Sequence, residues 1–129
     1  MSESVPAGLK YTQDHEWARP QGNVIVVGVT HHAQEALGEV VYVELPKVGA
    51  PLTAGKQFGV IESTKAVSEL FSPLSGKVAK VNDSLIDSPF IVNSDPYGAG
   101  WILEIEPSDA KQLDGLLSPE AYSDLLKKA

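Results

Sequence analysis

The sequence contains no cysteine, and this absence excludes several classes of chemistry. Structural disulfides, thiolate zinc sites, iron–sulfur clusters and cysteine nucleophiles all need a thiol that this chain does not have. The histidines are His15, His31 and His32, and no two of them have the i, i+4 spacing of a helical zinc site. We therefore predict that the chain holds no metal.

Basic residues are scarce as well, because 10 lysines and arginines face 17 aspartates and glutamates, leaving a formal charge of −7. Arg19 is the only arginine, and the guanidinium is the group that grips phosphates through paired hydrogen bonds. The sequence therefore predicts neither a nucleic acid nor an anionic membrane as partner.

Long apolar runs are missing too. The longest covers residues 24–29, whereas a membrane-spanning helix needs about 20 apolar residues. Residues 1–6 show neither a basic start before an apolar stretch nor an arginine-rich amphipathic pattern, so we predict no targeting signal. A length of 129 residues predicts one domain over residues 1–129. We expect it in the cytoplasm, or in the mitochondrial matrix if the source is eukaryotic and a transit peptide has been removed.

Common catalytic motifs are absent: there is no Gly-x-Ser-x-Gly elbow, no Gly-x-Gly-x-x-Gly and no P-loop. Glu104 and Glu106 have the spacing of a strand face, and exposure to solvent explains them better than glycosidase chemistry. We therefore predict that the chain has no catalytic site of its own. In any reaction it joins, the reactive group comes from elsewhere.

Short β-prone runs separated by glycine and proline are what the sequence does contain. This pattern predicts a mainly β fold, a flattened barrel or sandwich. The predicted strands cover residues 9–11, 17–19, 24–29, 40–45, 57–62, 67–71, 77–81 and 101–105.

Three helical segments interrupt these strands. Thr30 is placed to cap a short helix over residues 31–37, with Gly38 to end it. A C-terminal helical segment is predicted over about residues 109–128: Ser108 caps its first part, and Ser118 followed by proline opens its second. Tyr122, Leu125 and Leu126 share one face of this last helix, which we expect to cover the edge of the sheet.

Lys65 lies between two β-prone arms in a predicted hairpin over about residues 57–71. The four residues 63–66 join the arms, so Lys65 is expected at or next to the hairpin tip. Taken alone, a lysine there is explained by protection of a sheet edge against aggregation.

The residues around Lys65 resemble the biotinyl/lipoyl attachment family, in which a hairpin lysine is acylated and becomes a swinging arm. Biotin carriers usually flank that lysine with methionine, whereas Thr64 and Ala66 are similar to the lipoyl branch. The residues that stand in the family's order are Gly49, Pro51, Gly55, Glu62, Lys65, Pro73, Gly76 and Val78.

Wider stretches, from about Leu9 to Tyr122, resemble the H-protein family of the glycine cleavage system. Two positions depart from that family: Phe90 and Ile91 stand where an acidic residue and leucine are commoner, in a predicted surface loop or partner contact. A small variation is His31, where an acidic residue is commoner. The four matching blocks are Asp14-His15-Glu16-Trp17, residues 32–46, Glu62-Ser63-Thr64-Lys65-Ala66 and residues 92–101.

The resemblance implies a barrel-sandwich hybrid of the lipoyl-domain type that carries lipoic acid in amide linkage on Lys65. A lipoate ligase or octanoyltransferase attaches it, with Glu62, Ser63, Thr64 and Ala66 as flanking recognition residues. Glycine decarboxylase (P protein) passes the aminomethyl group of glycine to the arm, and aminomethyltransferase (T protein) removes it. Dihydrolipoamide dehydrogenase (L protein) then reoxidises the dithiol.

The carried aminomethyl group is prone to hydrolysis, so the resemblance also leads us to expect a cleft that excludes water. Glu16 and His32 are the candidate polar groups of this cleft. Each has an ordinary alternative: Glu16 as a solvated strand residue, and His32 as an exposed residue near a helix N-terminus.

Other interpretations stay open on the sequence alone. A lipoyl domain of a 2-oxoacid dehydrogenase or a biotin carrier would use the same hairpin, although the usual Ala/Pro linkers are missing here. The hairpin could also be an unmodified scaffold or binding module, or the protein could donate its lipoyl group to other proteins. We expect a monomer, because a carrier must visit several enzymes in turn.

Overall fold

The computed structural model describes residues 5–128. Residues 1–4 and 129, which complete the predicted domain 1–129, lie outside the described part, and so does most of the 1–6 segment considered for a targeting signal. No helix between residues 5 and 128 is long and apolar enough to cross a membrane.

Residues 5–128 form two antiparallel sheets. The larger has the order β1-β2-β3-β9-β8-β5, and the smaller has the order β4-β6-β7. This mainly β, two-sheet arrangement confirms the predicted fold class. The strands are β1 (Lys10–Tyr11), β2 (Glu16–Gln21), β3 (Val24–Val29), β4 (Val40–Glu44), β5 (Pro51–Leu52), β6 (Gln57–Ser63), β7 (Val67–Phe71), β8 (Gly76–Val81) and β9 (Leu103–Pro107).

The helices are short, with one longer helix at the C-terminal end. They are α1 (His31–Leu37), α2 (Ser84–Asp87), α3 (Ile91–Ser94), a 3₁₀ helix (Ala110–Gly115) and α4 (Pro119–Lys128). The predicted bounds of α1 are confirmed: the Thr30 hydroxyl accepts a hydrogen bond from the Ala33 N–H at 3.3 Å, and Gly38 ends the helix with a φ of 81°.

Three local predictions were wrong. Asp109, not Ser108, caps the 3₁₀ helix, because its extended backbone lets its carboxylate accept the Lys111 N–H at 3.0 Å. The strand predicted from residue 101 begins at Leu103, because the Trp101 N–H closes a turn onto the Gly98 carbonyl. The expected surface loop at residues 90–91 holds the start of α3, although Phe90 itself is 58% exposed.

The main hydrophobic core joins the two sheets. Val27 and Ile105 from the larger sheet and Val43, Ile61 and Leu70 from the smaller sheet belong to one buried cluster. Because side chains alternate along a strand, the neighbouring residues of the larger sheet face the other way.

A second cluster lies on that opposite face, under α4. Trp17 and Val26 are buried there with Tyr11 and Tyr122, and Leu125 and Leu126 pack against them. Since α4 contacts the edge strand β1, the predicted cover over the sheet edge is confirmed.

Candidate functional site

Lys65 lies in the three-residue loop between β6 and β7 and is exposed to solvent. The buried Ser63 holds this loop: its hydroxyl accepts hydrogen bonds from the N–H groups of Lys65 at 3.3 Å and Ala66 at 3.0 Å. The Ser63 N–H in turn donates to the Ala66 carbonyl at 2.8 Å. Because the serine hydroxyl bonds the backbone N–H groups of the turn, it fixes the backbone that carries the exposed lysine.

The other residues that flank Lys65 differ in their exposure to solvent. Thr64 and Ala66 are exposed, and Glu62 is half-buried in β6, where it pairs with Tyr42 of β4 and Val67 of β7. The Thr64 N–H donates to the Glu39 carbonyl at 3.0 Å, which ties the loop to the residue before β4. An approaching enzyme can therefore contact Thr64, Lys65 and Ala66.

Asn93 holds the chain segment to which the hairpin loop is bonded, and the sequence analysis missed it as a site residue. Its Oδ1 accepts the Val40 N–H at 2.8 Å, and its Nδ2 donates to the Gly38 carbonyl at 2.8 Å and to Gln34 Oε1 at 3.0 Å. One side chain thus joins α3 to the end of α1 and the start of β4. Its place in the block 92–101 was the available signal.

A cleft of about 390 Å³ opens beside the loop. Ala33, Ala36 and Leu37 of α1 form one wall, and the other side is formed by the start of β7 and the segment before β2. The full lining is Asp14, His15, His32, Ala33, Ala36, Leu37, Ala66, Val67 and Ser68. Its apolar residues suit an alkyl chain, and its polar residues suit a group that hydrogen-bonds.

His32 lines the cleft, and the structure adds His15, which the sequence analysis did not assign to it. The centroids of the His15 and His32 rings lie 4.5 Å apart. His15 has a φ of 67°, and among the non-glycine residues of the described chain only it has a positive φ. Such backbone geometry is uncommon outside glycine and is concentrated at functional sites.

Glu16 lies behind the cleft and is not part of its lining. It is 2% exposed, so the alternative of a solvated strand residue is wrong. Its carboxylate accepts the Phe71 N–H at 2.9 Å and the Thr12 hydroxyl at 3.1 Å, which links β2 to β7. The pKa of Glu16 is raised to about 8, chiefly because burial disfavours the charged carboxylate. The hydrogen bonds from Phe71 and Thr12 oppose this rise, and the nearby Asp14 charge adds a smaller rise.

Histidine and carboxylate groups were compared across the described part of the chain for a possible ion site. Within residues 5–128, no group of three or more such side chains could hold a metal ion. The cleft beside Lys65 is lined by apolar residues, two imidazoles and the carboxylate residue Asp14.

The chain is similar over nearly its whole length to proteins of one family. Residues 9–129 match the family model described as glycine cleavage H-protein. The glycine cleavage system H protein of Myxococcus xanthus is 69% identical over 129 residues, covering 100% of both chains, and that of Anaeromyxobacter sp. strain K is 56% identical over 124 residues, covering 96% of this chain and 97% of the relative. The crystal structure of the H protein from Mycobacterium marinum superposes with a TM-score of 0.87 at 39% identity, covering 95% of this chain and 98% of that one. The chain belongs to the glycine cleavage H-protein family, whose members are the lipoyl carriers of the glycine cleavage system.

Proposed function

We propose that Lys65 is the residue that carries lipoic acid, in amide linkage, in the glycine cleavage system. The observation that carries this proposal is the position of Lys65: an exposed amine in a short loop whose backbone is held by Ser63 and by the hydrogen bond from Thr64 to Glu39. A modifying enzyme needs such an amine held out from the surface. Of the flanking residues, Thr64 and Ala66 are exposed to a lipoate ligase or octanoyltransferase. Glu62 is half-buried, and the buried Ser63 acts on recognition through the loop backbone that it holds.

The cleft fits the group that the proposal requires. When attached, a lipoyl group supplies a disulfide that accepts the aminomethyl group of glycine and a long tether that carries it between enzymes. The cleft begins at Ala66, next to Lys65, and its apolar residues Ala33, Ala36, Leu37 and Val67 match the hydrocarbon part of such a tether. A chain without cysteine also offers no thiolate that would attack the disulfide.

Water exclusion from the cleft is the second part of the proposal. His32 contributes directly, since it lines the cleft and its ring packs against His15. Glu16 contributes from behind, because its carboxylate holds the backbone of Phe71 in the strand that carries the cleft residues Val67 and Ser68. Faster hydrolysis of the loaded protein in His32→Ala and Glu16→Ala supports these roles, and unchanged lifetimes in both variants contradict them.

The partners we propose are the enzymes that load, unload and reoxidise the tether: glycine decarboxylase, aminomethyltransferase and dihydrolipoamide dehydrogenase. The protein supplies no catalytic site of its own to these steps. Its formal charge of −7 favours encounter with basic partner surfaces, so association should slow as salt increases. We further propose that it works as a monomer, because one tether must reach several active sites in turn. The compartment that we propose is the cytoplasm.

Mass spectrometry of protein from lipoate-supplied cells tests this proposal. The proteolytic peptide that contains Lys65 should show one lipoyl group, and Lys65→Arg should fold normally, remain unmodified and fail to support glycine cleavage with the three enzymes. A biotin on this peptide would favour a biotin carrier. An unmodified peptide in cells that lipoylate other proteins would favour a scaffold, and would contradict the proposal.

A further inference from the structure

One buried hydroxyl group connects the C-terminal helix to two sides of the cleft. The Tyr122 hydroxyl oxygen lies 2.8 Å from His15 Nδ1 and 2.7 Å from Thr30 Oγ1. Tyr122 and Thr30 are both fully buried. His15 lines the cleft itself, and Thr30 caps α1, the helix that forms the cleft's apolar wall. Tyr122 therefore contacts both sides of the cleft without lining it.

The same two sides are also joined through the backbone. The Thr30 N–H donates to the His15 carbonyl at 3.0 Å, and the Thr30 hydroxyl accepts the Ala33 N–H. His15 keeps its unusual φ of 67° within this set of contacts. A residue in such a conformation persists only when its surroundings hold it there. The Tyr122 hydroxyl contacts the ring of this residue.

Tyr122 has its own firm support, independent of the cleft. Its ring stacks on Tyr11 with the centroids 4.6 Å apart and the planes 7° from parallel. Its N–H donates to the Ser118 carbonyl at 2.9 Å in the first turn of α4, and the Ser118 hydroxyl accepts the Ala121 N–H. The hydroxyl is thus presented to His15 and Thr30 from a fixed position.

We propose that Tyr122 is a positioning residue for the carrier function. Its hydroxyl sets the orientation of the His15 ring and the distance between His15 and α1, and so keeps water away from the group carried in the cleft. This inference rests on the proposed function of Lys65. It gives the C-terminal helix a role in protecting the cargo in addition to its role in covering the sheet edge.

Hydrolysis is the reaction that this arrangement opposes. Water adds to the carbon of the aminomethyl group, the carbon–sulfur and carbon–nitrogen bonds break, and formaldehyde, ammonium and a thiol are released without any change in oxidation state. Exclusion of water from the cleft slows this step, whereas a loosened His15 would admit water.

The test compares Tyr122→Phe with Tyr11→Phe. Each variant keeps two stacked aromatic rings and removes one hydroxyl group. The Tyr11 hydroxyl is the control because it donates to the Pro6 carbonyl at 2.5 Å, away from the cleft. The lipoylated proteins are loaded with glycine and glycine decarboxylase, separated from the enzyme, and followed by the release of formaldehyde. Tyr122→Phe should shorten the lifetime of the loaded protein about threefold to tenfold, the loss equivalent to one hydrogen bond, and Tyr11→Phe should leave it unchanged.

A second readout uses the unmodified protein. The ¹⁵N chemical shifts of the His15 ring should change in Tyr122→Phe and stay as in the wild type in Tyr11→Phe. Equal lifetimes for Tyr122→Phe and wild type, or equal acceleration in both variants, would overturn the inference, and so would His15 shifts that ignore Tyr122. These outcomes differ from failure of the proposed function, in which Lys65 takes no lipoyl group and no variant can be loaded.

Discussion

The side chain of Lys65 lies directly over Gly38: a methyl group placed on the Gly38 α-carbon would be 3.1 Å from Lys65 Cε. Gly38 ends α1 with a φ of 81° and a ψ of −155°, a combination that is essentially limited to glycine. The same residue therefore stops the helix and leaves room for the aliphatic stem of the lysine. The end of α1 therefore lies next to the lysine that we propose as the attachment residue.

Gly38→Ala should lower the free energy of unfolding by about 1 to 3 kcal/mol, because alanine is strained in this backbone conformation. It should also slow lipoylation of Lys65, because the added methyl displaces the lysine stem. Gly49→Ala is the matched control: Gly49 has a φ of 89°, and no atom lies within 4 Å of an added methyl. Urea unfolding and the initial rate with a lipoate ligase measure the two effects. Equal lipoylation rates in the two variants would show that the contact is unimportant.

Moving the lysine by one position should prevent efficient lipoylation. In Thr64→Lys combined with Lys65→Ala, the new amine starts from the residue whose N–H is bonded to Glu39, and it leaves the backbone in a different direction. We expect modification to slow about a hundredfold, as for other misplaced reacting groups. Intact mass during the ligase reaction gives the rate, with Lys65→Ala alone as the blank. Lipoylation of the shifted lysine at the wild-type rate would mean that the enzyme recognises a mobile segment.

Glu16→Gln should change how stability depends on pH. The pKa of Glu16 is raised from 4.5 to about 8 by burial, so the folded protein keeps this proton at pH values where the unfolded chain has lost it. Rising pH between about 4.5 and about 8 therefore favours unfolding, by up to about 1.4 kcal/mol per pH unit from this group. Glutamine keeps an oxygen acceptor for the Phe71 N–H and does not titrate.

The wild type and Glu16→Gln should consequently be close in stability near pH 5 and diverge in favour of Glu16→Gln towards pH 8. Urea unfolding of both proteins across this range measures the difference, in which titration of all other groups cancels. A constant difference from pH 5 to pH 8 would show that Glu16 titrates at an ordinary pKa.

Asn93→Asp should lower the free energy of unfolding by about 1 to 3 kcal/mol. The aspartate still accepts the Val40 N–H, but it has no donor for the Gly38 carbonyl and places negative charge beside it. Ser94→Ala is the control in the same helical turn, since its hydroxyl donates to the Ile91 carbonyl within that turn at 3.4 Å. Slower lipoylation is expected in Asn93→Asp alone; the same unfolding midpoint in both variants would contradict the assignment.

Local chemistry explains which parts of the fold could be predicted from the sequence. The bounds of α1 follow from the Thr30 hydroxyl and the glycine at position 38, both of which act within a few residues. Strands β3 and β7 begin and end where predicted, because their apolar residues are flanked by turn residues. The cap at Asp109 was missed because serine at 108 has a similar capping preference, and only the backbone angles of Asp109 decide between them.

The cleft could be predicted only in part, because contacts between residues distant in the sequence form it. Sequence reasoning assigned His32 to it but not His15, whose position follows from hydrogen bonds to Thr30 and to Tyr122, 107 residues away. Glu16 was identified as important, but its burial against Phe71 of another strand could not be read from its neighbours. The role of Asn93 likewise follows from its bonds to Val40 and Gly38, more than 50 residues earlier.

The position of β9 between β3 and β8 has a consequence for biosynthesis. A ribosome must release residues 103–107 before the middle of the larger sheet can close, although the lysine hairpin emerges much earlier. The hairpin strands β6 and β7 pack against the larger sheet through the main core, which includes Ile105 of β9. An enzyme that recognises the folded hairpin should therefore modify the chain only after translation is nearly finished. Fragments that stop before residue 103 would contain the proposed attachment sequence without the complete larger sheet, and should be poor acceptors.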